Sequence, residues 1–485
     1  MNKWSKVFAS ACIGFLFLLH LPFLRADPDY NLSIGRDAFT DEGLNTSQLR
    51  NYINHSYLSF DECDNLIKTP LFNLYLFLPL KIFGEDLIVA RLSILFFLLL
   101  VLFVFASNGY LKKVIPFLIL TTFIQYYVFQ YSHFSLSEMM AIGFILLGLL
   151  SIYKYYDTRK IWYVITSATA LSLAYYTKIQ FAYIILLLPI ALVILCWFDE
   201  RSIVDAVTSK SFILALGVIL FFTVLYYFFW LQPHSRIFIL VMNDQSTGKF
   251  AEPGEMIQTI GFNIIHSLFS FQMWVWNSLS IVCLACGIYI HYKKTDRNFT
   301  ILFVLSLLWM ILECHKLTMI YLPSRYMVSF YVASGFMCSI VLQKMVSMKN
   351  ENKFLFQSAI ILCLLFLSSN TYQYLNLLKG RKYEIENINQ YISSSIKNST
   401  QPILGPWATN ATWNSKAQCI PVWKDFMNDK NIFETFNPQA ILSEPDEAES
   451  NQAYSSQGIN LVQASDSSRV FHIGKWDVIV YWIKQ

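Results

Sequence analysis

Long apolar runs broken by short polar ones recur from residue 7 to residue 369, and few of them hold an internal charge. Runs of this length match the hydrocarbon thickness of a bilayer. They predict about eleven transmembrane helices, at roughly 7–24, 87–106, 114–130, 138–153, 161–177, 180–198, 211–231, 272–290, 300–315, 319–341 and 354–369. Residues 71–83 are apolar and aromatic but too short to cross comfortably, and they stop at Gly84-Glu85-Asp86. That segment reads as an interfacial or re-entrant helix within a first outer loop of residues 25–86. After residue 370 the pattern changes. Polar stretches such as Ser443-Glu-Pro-Asp-Glu-Ala-Glu-Ser450 alternate with strand-like runs, including Val470-Phe-His-Ile473 and Val478–Ile483. Residues 1–370 therefore read as the membrane domain, and 371–485 as a small extracytoplasmic α/β domain.

Charge orients the spans. Lys112-Lys113, Lys154 with Arg159-Lys160, Arg201 with Lys210, Lys293-Lys294 with Arg297, and Lys344 with Lys349 and Lys353 all fall in loops on one side. Cytoplasmic loops carry such an excess. Were 71–83 a separate span, every later loop would swap sides and the bias would reverse. Lys3 and Lys6 precede the first run, and Leu24-Arg25-Ala26-Asp27 makes a poor cleavage site, so the first span reads as an uncleaved anchor. The long segment 232–261 and the tail then lie outside.

Composition agrees, with 55% hydrophobic, 17% aromatic and 14% charged residues. That is a multi-pass membrane protein. A net charge of +4 offers no face for nucleic acid. Nine cysteines scattered along the chain indicate neither a zinc site nor a disulfide framework. Cys63 and Cys419 fall outside, where a disulfide between them is chemically open.

Ionisable residues at span boundaries are costly and mark functional candidates. The first outer loop holds the acidic pair Asp41-Glu42 and the step Lys68-Thr69-Pro70. Glu138 begins the fourth span, and Lys178 follows Tyr175-Tyr176-Thr177 in an outer turn. His315-Lys316 precedes Tyr321-Leu-Pro323-Ser-Arg325-Tyr326. Carboxylates, cations and tyrosines on one face suit anionic lipid chemistry. Each has a structural alternative: snorkelling for Lys178 and Lys316, an aromatic belt for the tyrosines, a helix cap for Glu138.

In this order and on this common side, the motifs resemble the polyprenyl-phosphate-dependent glycosyltransferases of the C-type membrane fold. Within that group the layout of residues 1–345 is similar to the protein O-mannosyltransferases and the bacterial lipid A aminoarabinose transferases. The resemblance implies Asp41 as the catalytic acid of the first loop and Glu138 as the second acid. It implies Lys68 as a lysine holding the lipid phosphate, with Tyr321 and Arg325 in a late phosphate-contacting motif. Lys178 and Lys316 are further candidate substrate contacts. Thr40 stands where the family often has Pro, and Thr69 displaces a second Pro.

The chemistry follows from such a site. Asp41 would act as general base on the incoming acceptor group, with Glu42 or Glu138 orienting it, and single displacement inverts the anomeric centre. Cations offset the charge growing on the departing phosphate. No cofactor is required. Hard carboxylate oxygens are ligands for Mg2+ or Mn2+, yet no metal-ligand set is indicated. The expected donor is a hexosyl or pentosyl polyprenyl phosphate; the expected acceptor is a lipid, glycan or protein, at the outer face of a bacterial plasma membrane. A transporter or flippase of lipid-linked sugars is the rival from another class, opposed by the lack of an inverted repeat. A glycan polymerase or ligase shares the donor chemistry.

Overall fold

The structure is a computed structural model. It describes residues 3–33, 35–199, 202–246, 249–293, 296–425, 427–445 and 448–484. The Arg201 and Lys294 of the charge pattern lie outside the described residues, as do Asp446 and Glu447 of the acidic stretch.

The chain is a multi-pass helical membrane protein with a small sheet domain at one end. Among the described residues, nine helices are long and apolar enough to cross a membrane. The first is α1 (Lys3–His20). Next come α2 (Asp37–His55) and α3 (Pro70–Phe83), which lie between the first two spans. Gly84, at φ +95°, ends α3, and the Asp86 side chain accepts from the Ile88 amide to start α4 (Leu87–Ala106).

Two of the eleven expected spans differ from the other nine. The run predicted at 114–130 is broken: a short turn from Ile115 and a wide turn over Ile119–Phe123 lead to α5 (Tyr126–His133). Gln125 turns extended and caps α5 by accepting from the Val128 amide. The freed backbone is buried in protein, where the Thr121 carbonyl accepts from the Trp276 indole at 2.8 Å and the Leu120 carbonyl from the Asn370 side-chain amide at 2.7 Å, while the Thr121 hydroxyl donates to Gly335 O at 2.8 Å. Broken helices at membrane depth need such cover. The run at 161–177 forms a helix of only 16 residues, α7 (Trp162–Thr177), packed on α6 (Ser137–Thr158).

The remaining helices are α8 (Leu187–Phe198), α9 (Lys210–Tyr226), α10 (Trp274–Tyr292), α11 (Arg297–Glu313), α12 (Ser324–Ser347) and α13 (Lys353–Lys379). Helix α12 is the buried centre of the bundle. At one end of the bundle, ion pairs tie the basic loops together: Asp199 meets Arg159 at 2.5 Å and Arg297 at 3.0 Å, and Lys344 meets Asp296 at 3.3 Å. Glu138 opens α6 at the other end. The basic loops therefore share one face of the bundle and the candidate site the opposite one.

Helix α13 runs past residue 370 to Lys379, and the Asp27 carboxylate then caps α14 (Glu384–Ser395), accepting from the amides of Glu384 and Ile385 at 2.8 and 3.1 Å. The sheet comprises β1 (Ile403–Leu404), β2 (Cys419–Ile420), β3 (Ala440–Ser443), β4 (Ser465–Ile473) and β5 (Trp476–Ile483), in the order β2-β1-β3-β5-β4. Strand β1 is parallel to both neighbours, while β5 is antiparallel to β3 and β4. Side chains alternate between two cores as strand geometry requires. Ile441 and Tyr481 face a core private to the domain, whereas Leu442 and Val480 join the core shared with the helices.

The sheet domain grips α2. Asn51 exchanges hydrogen bonds with the Cys419 backbone, donating at 2.9 Å and accepting at 3.0 Å. Arg50 donates to Thr409 O and lies 4.1 Å over the Trp413 ring. Gly43 is required for this approach, since a Cβ there would collide with the Thr409–Asn410 backbone. The Cys63–Cys419 disulfide does not form: both thiols are free, Cys63 beside Asn65 and Cys419 beside Arg50 and Asn51.

Glu62, in the loop after α2, is buried and accepts from the Tyr57 hydroxyl at 2.6 Å. Burial raises its carboxyl from the ordinary 4.5 to about 7, and the neighbouring Asp61 adds to this. The native state thus keeps a proton that the unfolded chain gives up near pH 4.5. The stability tied to that proton is complete below pH 4.5 and lost as pH rises through 7, up to about 3 kcal/mol. Thermal unfolding between pH 5 and 8 should show the fall, and Glu62→Gln should flatten it; an identical slope in that variant would assign the titration to another group.

Candidate functional site

Four elements converge at the end of the bundle away from the basic loops. Helix α2 supplies Asp37 and Asp41, one turn apart and therefore on one face. Helix α6 opens with Glu138, the turn after α7 brings Lys178, and α12 opens with Arg325 and Tyr326. Pro323 is extended just before α12, which sets Arg325 in its first turn.

Arg325 is the hub. Its guanidinium pairs with Asp41, lies 3.1 Å from Asp37 Oδ2, and stands 3.7 Å from Glu138 Oε1. Glu138 also pairs with Lys178. Asp37 accepts a second bond from the Ser33 hydroxyl. Three carboxylates thus surround a planar, permanently charged fork, which matches their geometry better than an ammonium would.

Beside this hub is a cavity of about 350 Å³. Lys68, Lys178, Lys249 and Lys316 line it with Glu138 and Tyr326, and Phe181, Phe238 and Phe250 supply apolar wall. Each cation is held in place. Lys68 lies 2.5 Å from Asp64, one turn earlier. Burial alone would lower the Lys68 pKa, but the Asp64 carboxylate, together with Tyr326 and Cys63, offsets it and the net shift is upward. Lys316 lies 2.5 Å from the buried Glu313 and donates to Tyr326 O at 2.9 Å. Lys249 reaches the rim because its backbone carbonyl accepts from the Ile320 amide, and burial lowers its pKa. The Tyr326 ring has Lys178 and Arg325 over it at 5.3 and 5.1 Å, and its hydroxyl accepts from Gln180 at 3.1 Å.

The structure therefore brings Asp41, Glu138, Lys68, Lys178, Lys316 and Arg325 to one place. It does not bring Glu42 there. Glu42 is fully buried on another face of α2, where it accepts from Arg91 Nε at 2.9 Å and from the Ser135 amide at 2.7 Å. Its oxygens are spent on those donors, so it does not reach an acceptor. Arg91 also donates to the carbonyls of Phe23, Leu24 and Ala26, which ties α2 to the end of α1 and to α4. Tyr321 is exposed and lines a different, more polar cavity of about 390 Å³ with Tyr30, Ser33 and His266. Tyr326, not Tyr321, lines the lysine cavity.

The sequence reading missed Asp37, Lys249 and Tyr326. Asp37 had a signal, its four-residue spacing from Asp41 on a helix. Lys249 had none, because a short backbone bridge between Phe250 and Met319 positions it.

The carboxylates do not fit a metal ion as arranged. Among the described residues no group of three or more His, Cys, Asp or Glu side chains is placed to ligate one, and the Arg325 guanidinium fills the space between Asp37, Asp41 and Glu138.

No family model matches the chain, and no curated protein matches it in sequence. Solved structures do. The crystal structure of ArnT, a lipid A aminoarabinose transferase, from Cupriavidus metallidurans in the apo state superposes with a TM-score of 0.63 at 12% identity, covering 98% of this chain and 97% of that one. ArnT bound to undecaprenyl phosphate gives 0.57 at 12% identity, covering 98% of each. The chain has the C-type glycosyltransferase fold. Helix α2 and the bundle mouth meet around the hub of Arg325, and the resemblance extends through the C-terminal domain as well as the spans.

Proposed function

We propose that the protein is a glycosyltransferase that moves a sugar from a polyprenyl-phosphate donor to an acceptor hydroxyl or amine at this face of the membrane. The observation that carries this reading is the cavity with four lysines and apolar walls set directly beside the Asp41–Arg325 pair. A lipid-linked donor needs such a combination, cations for its phosphate and apolar surface for its chain. The ArnT structure with undecaprenyl phosphate bound supports this donor class.

A second cavity fits the tail. It has a volume of about 770 Å³, is almost wholly apolar, and lies between α2 and α3 on one side and α9 on the other, with Leu66, Leu74, Phe77, Phe222 and Phe229 among its walls. The Trp230 indole donates to Ile67 O at 3.0 Å and steadies the turn between the two cavities. Lys68 sits on that turn, where the phosphate of a lipid lying in the apolar groove would arrive.

In the proposed reaction the acceptor attacks the anomeric carbon as the bond from that carbon to the phosphate oxygen breaks. The polyprenyl phosphate leaves with the electron pair, and Asp41 takes the acceptor's proton. Lys68, Lys178 and Arg325 offset the charge on the leaving group. Glu138 holds Lys178 and Arg325 in register. Attack opposite the leaving group inverts the centre.

Incubating the purified protein with labelled polyprenyl-phosphate sugars and a membrane extract tests the reading. Label passing to an extract component, with release of polyprenyl phosphate, is expected. No transfer from any donor of a hexose and pentose panel would overturn it.

Donor binding gives a separate prediction. Lys68→Ala or Arg325→Ala should each weaken affinity for a nonhydrolysable polyprenyl-phosphonate sugar by about tenfold to a hundredfold, the loss of a charge-assisted hydrogen bond of about 1.5–3 kcal/mol. Titration at one salt concentration measures it. Unchanged affinity in both would move the phosphate to Lys178 or Lys316.

A further inference from the structure

A third cavity lies far from this chemistry. It has a volume of about 620 Å³ between α4, α6 and α7, and its walls include Phe144, Leu147, Leu150 and Leu173. Lys154 stands at its polar end, 16 residues after Glu138 on α6. That is a rise of about 24 Å, so this end lies at the opposite face of the bundle.

We propose that this cavity binds one anionic phospholipid of the leaflet opposite the Asp41 hub. Lys154 is half-buried at the rim, and its ammonium makes no ion pair among the described residues. Asn108 is buried beside it. The Asn108 Oδ1 accepts from the Tyr110 amide at 3.2 Å, while its Nδ2 has no acceptor. A buried donor without a partner is rare and costly unless a ligand or water completes it. A cation and an orphaned amide donor at the mouth of an apolar slot match a phosphodiester with an acyl chain behind it. Trp162 and Tyr163 line the same end, as expected where headgroups meet hydrocarbon.

The apolar walls distinguish this site from one for a soluble anion, which would gain nothing from them. The distance to Glu138 separates it from the donor. The proposal stands independently of glycosyl transfer.

Native mass spectrometry of the purified protein tests it, with dioleoyl-phosphatidylglycerol, dioleoyl-phosphatidylcholine and inorganic phosphate as probes. One phosphatidylglycerol per chain should be retained, in about tenfold preference to phosphatidylcholine. Lys154→Gln, at a half-buried position on the cavity rim, should remove most of that preference. Asn108→Leu should do the same, and Lys113→Gln, on the neighbouring loop, should leave it intact. Equal retention of the two lipids overturns the proposal, as does a preference that survives Lys154→Gln or falls equally with Lys113→Gln. Retention of inorganic phosphate as strong as that of phosphatidylglycerol would make this a soluble-anion site and overturn it too.

Discussion

Asp41→Asn is expected to lower sugar transfer by about 10²–10⁴-fold while leaving the protein folded. The amide keeps the volume of the carboxylate and removes its basicity, and a positioned general base contributes about that factor. The neighbourhood favours a clean result. Arg325 retains Asp37 at 3.1 Å and Glu138 at 3.7 Å, so the guanidinium is not stranded when one of its three carboxylates is neutralised. Initial rates with a labelled donor, compared with thermal unfolding of the same preparations, measure the effect. Turnover near that of the unmodified protein would exclude Asp41 as the base.

Glu42→Ala should be the more damaging change to stability, by about 3–5 kcal/mol, although Glu42 is next to Asp41 in the chain. Glu42 and Arg91 are both fully buried, and removing one member of a buried pair leaves the other charge uncompensated. The Arg91 bonds to three carbonyls soften the loss without neutralising the guanidinium. Replacing both partners together, as in Glu42→Leu with Arg91→Met, should recover part of the stability, since a packed apolar pair avoids the stranded charge. Thermal unfolding of the single and double variants decides this. A single variant as stable as the parent would mean that the pair does not hold α2 against the bundle.

These neighbours show what could be read from residues alone. Long uninterrupted runs such as Leu87–Ala106 announce a span by length, and the structure contains it with the same bounds. The run near 120 was harder, because nothing local says that Gln125 will cap a new helix while Thr121 bonds to Gly335 more than two hundred residues away. The acidic pair misled for a related reason. In a loop, Asp41 and Glu42 would share one environment; on a helix, successive residues turn about 100° and face different partners. The spacing that matters is Asp37 to Asp41. Residues 37–55 are polar enough to look like a solvated loop, and they are buried because residues 403–420 cover them from far along the chain. Tyr326, five residues beyond Tyr321, owes its place to the direction in which α12 begins.

That cover has a consequence for how such proteins can be recombined. Arg50 reaches Thr409 across 359 residues of sequence, and Gly43 has no room for any side chain because the same segment presses on it. Helix α2 and the C-terminal domain therefore fit one another closely. Grafting the tail of another protein of this fold onto this bundle would bring a foreign surface against α2 and displace the helix that carries Asp41. Exchanging residues 25–86 and 380–484 together should preserve the fit, so a chimaera of two proteins of this fold has to carry both segments at once.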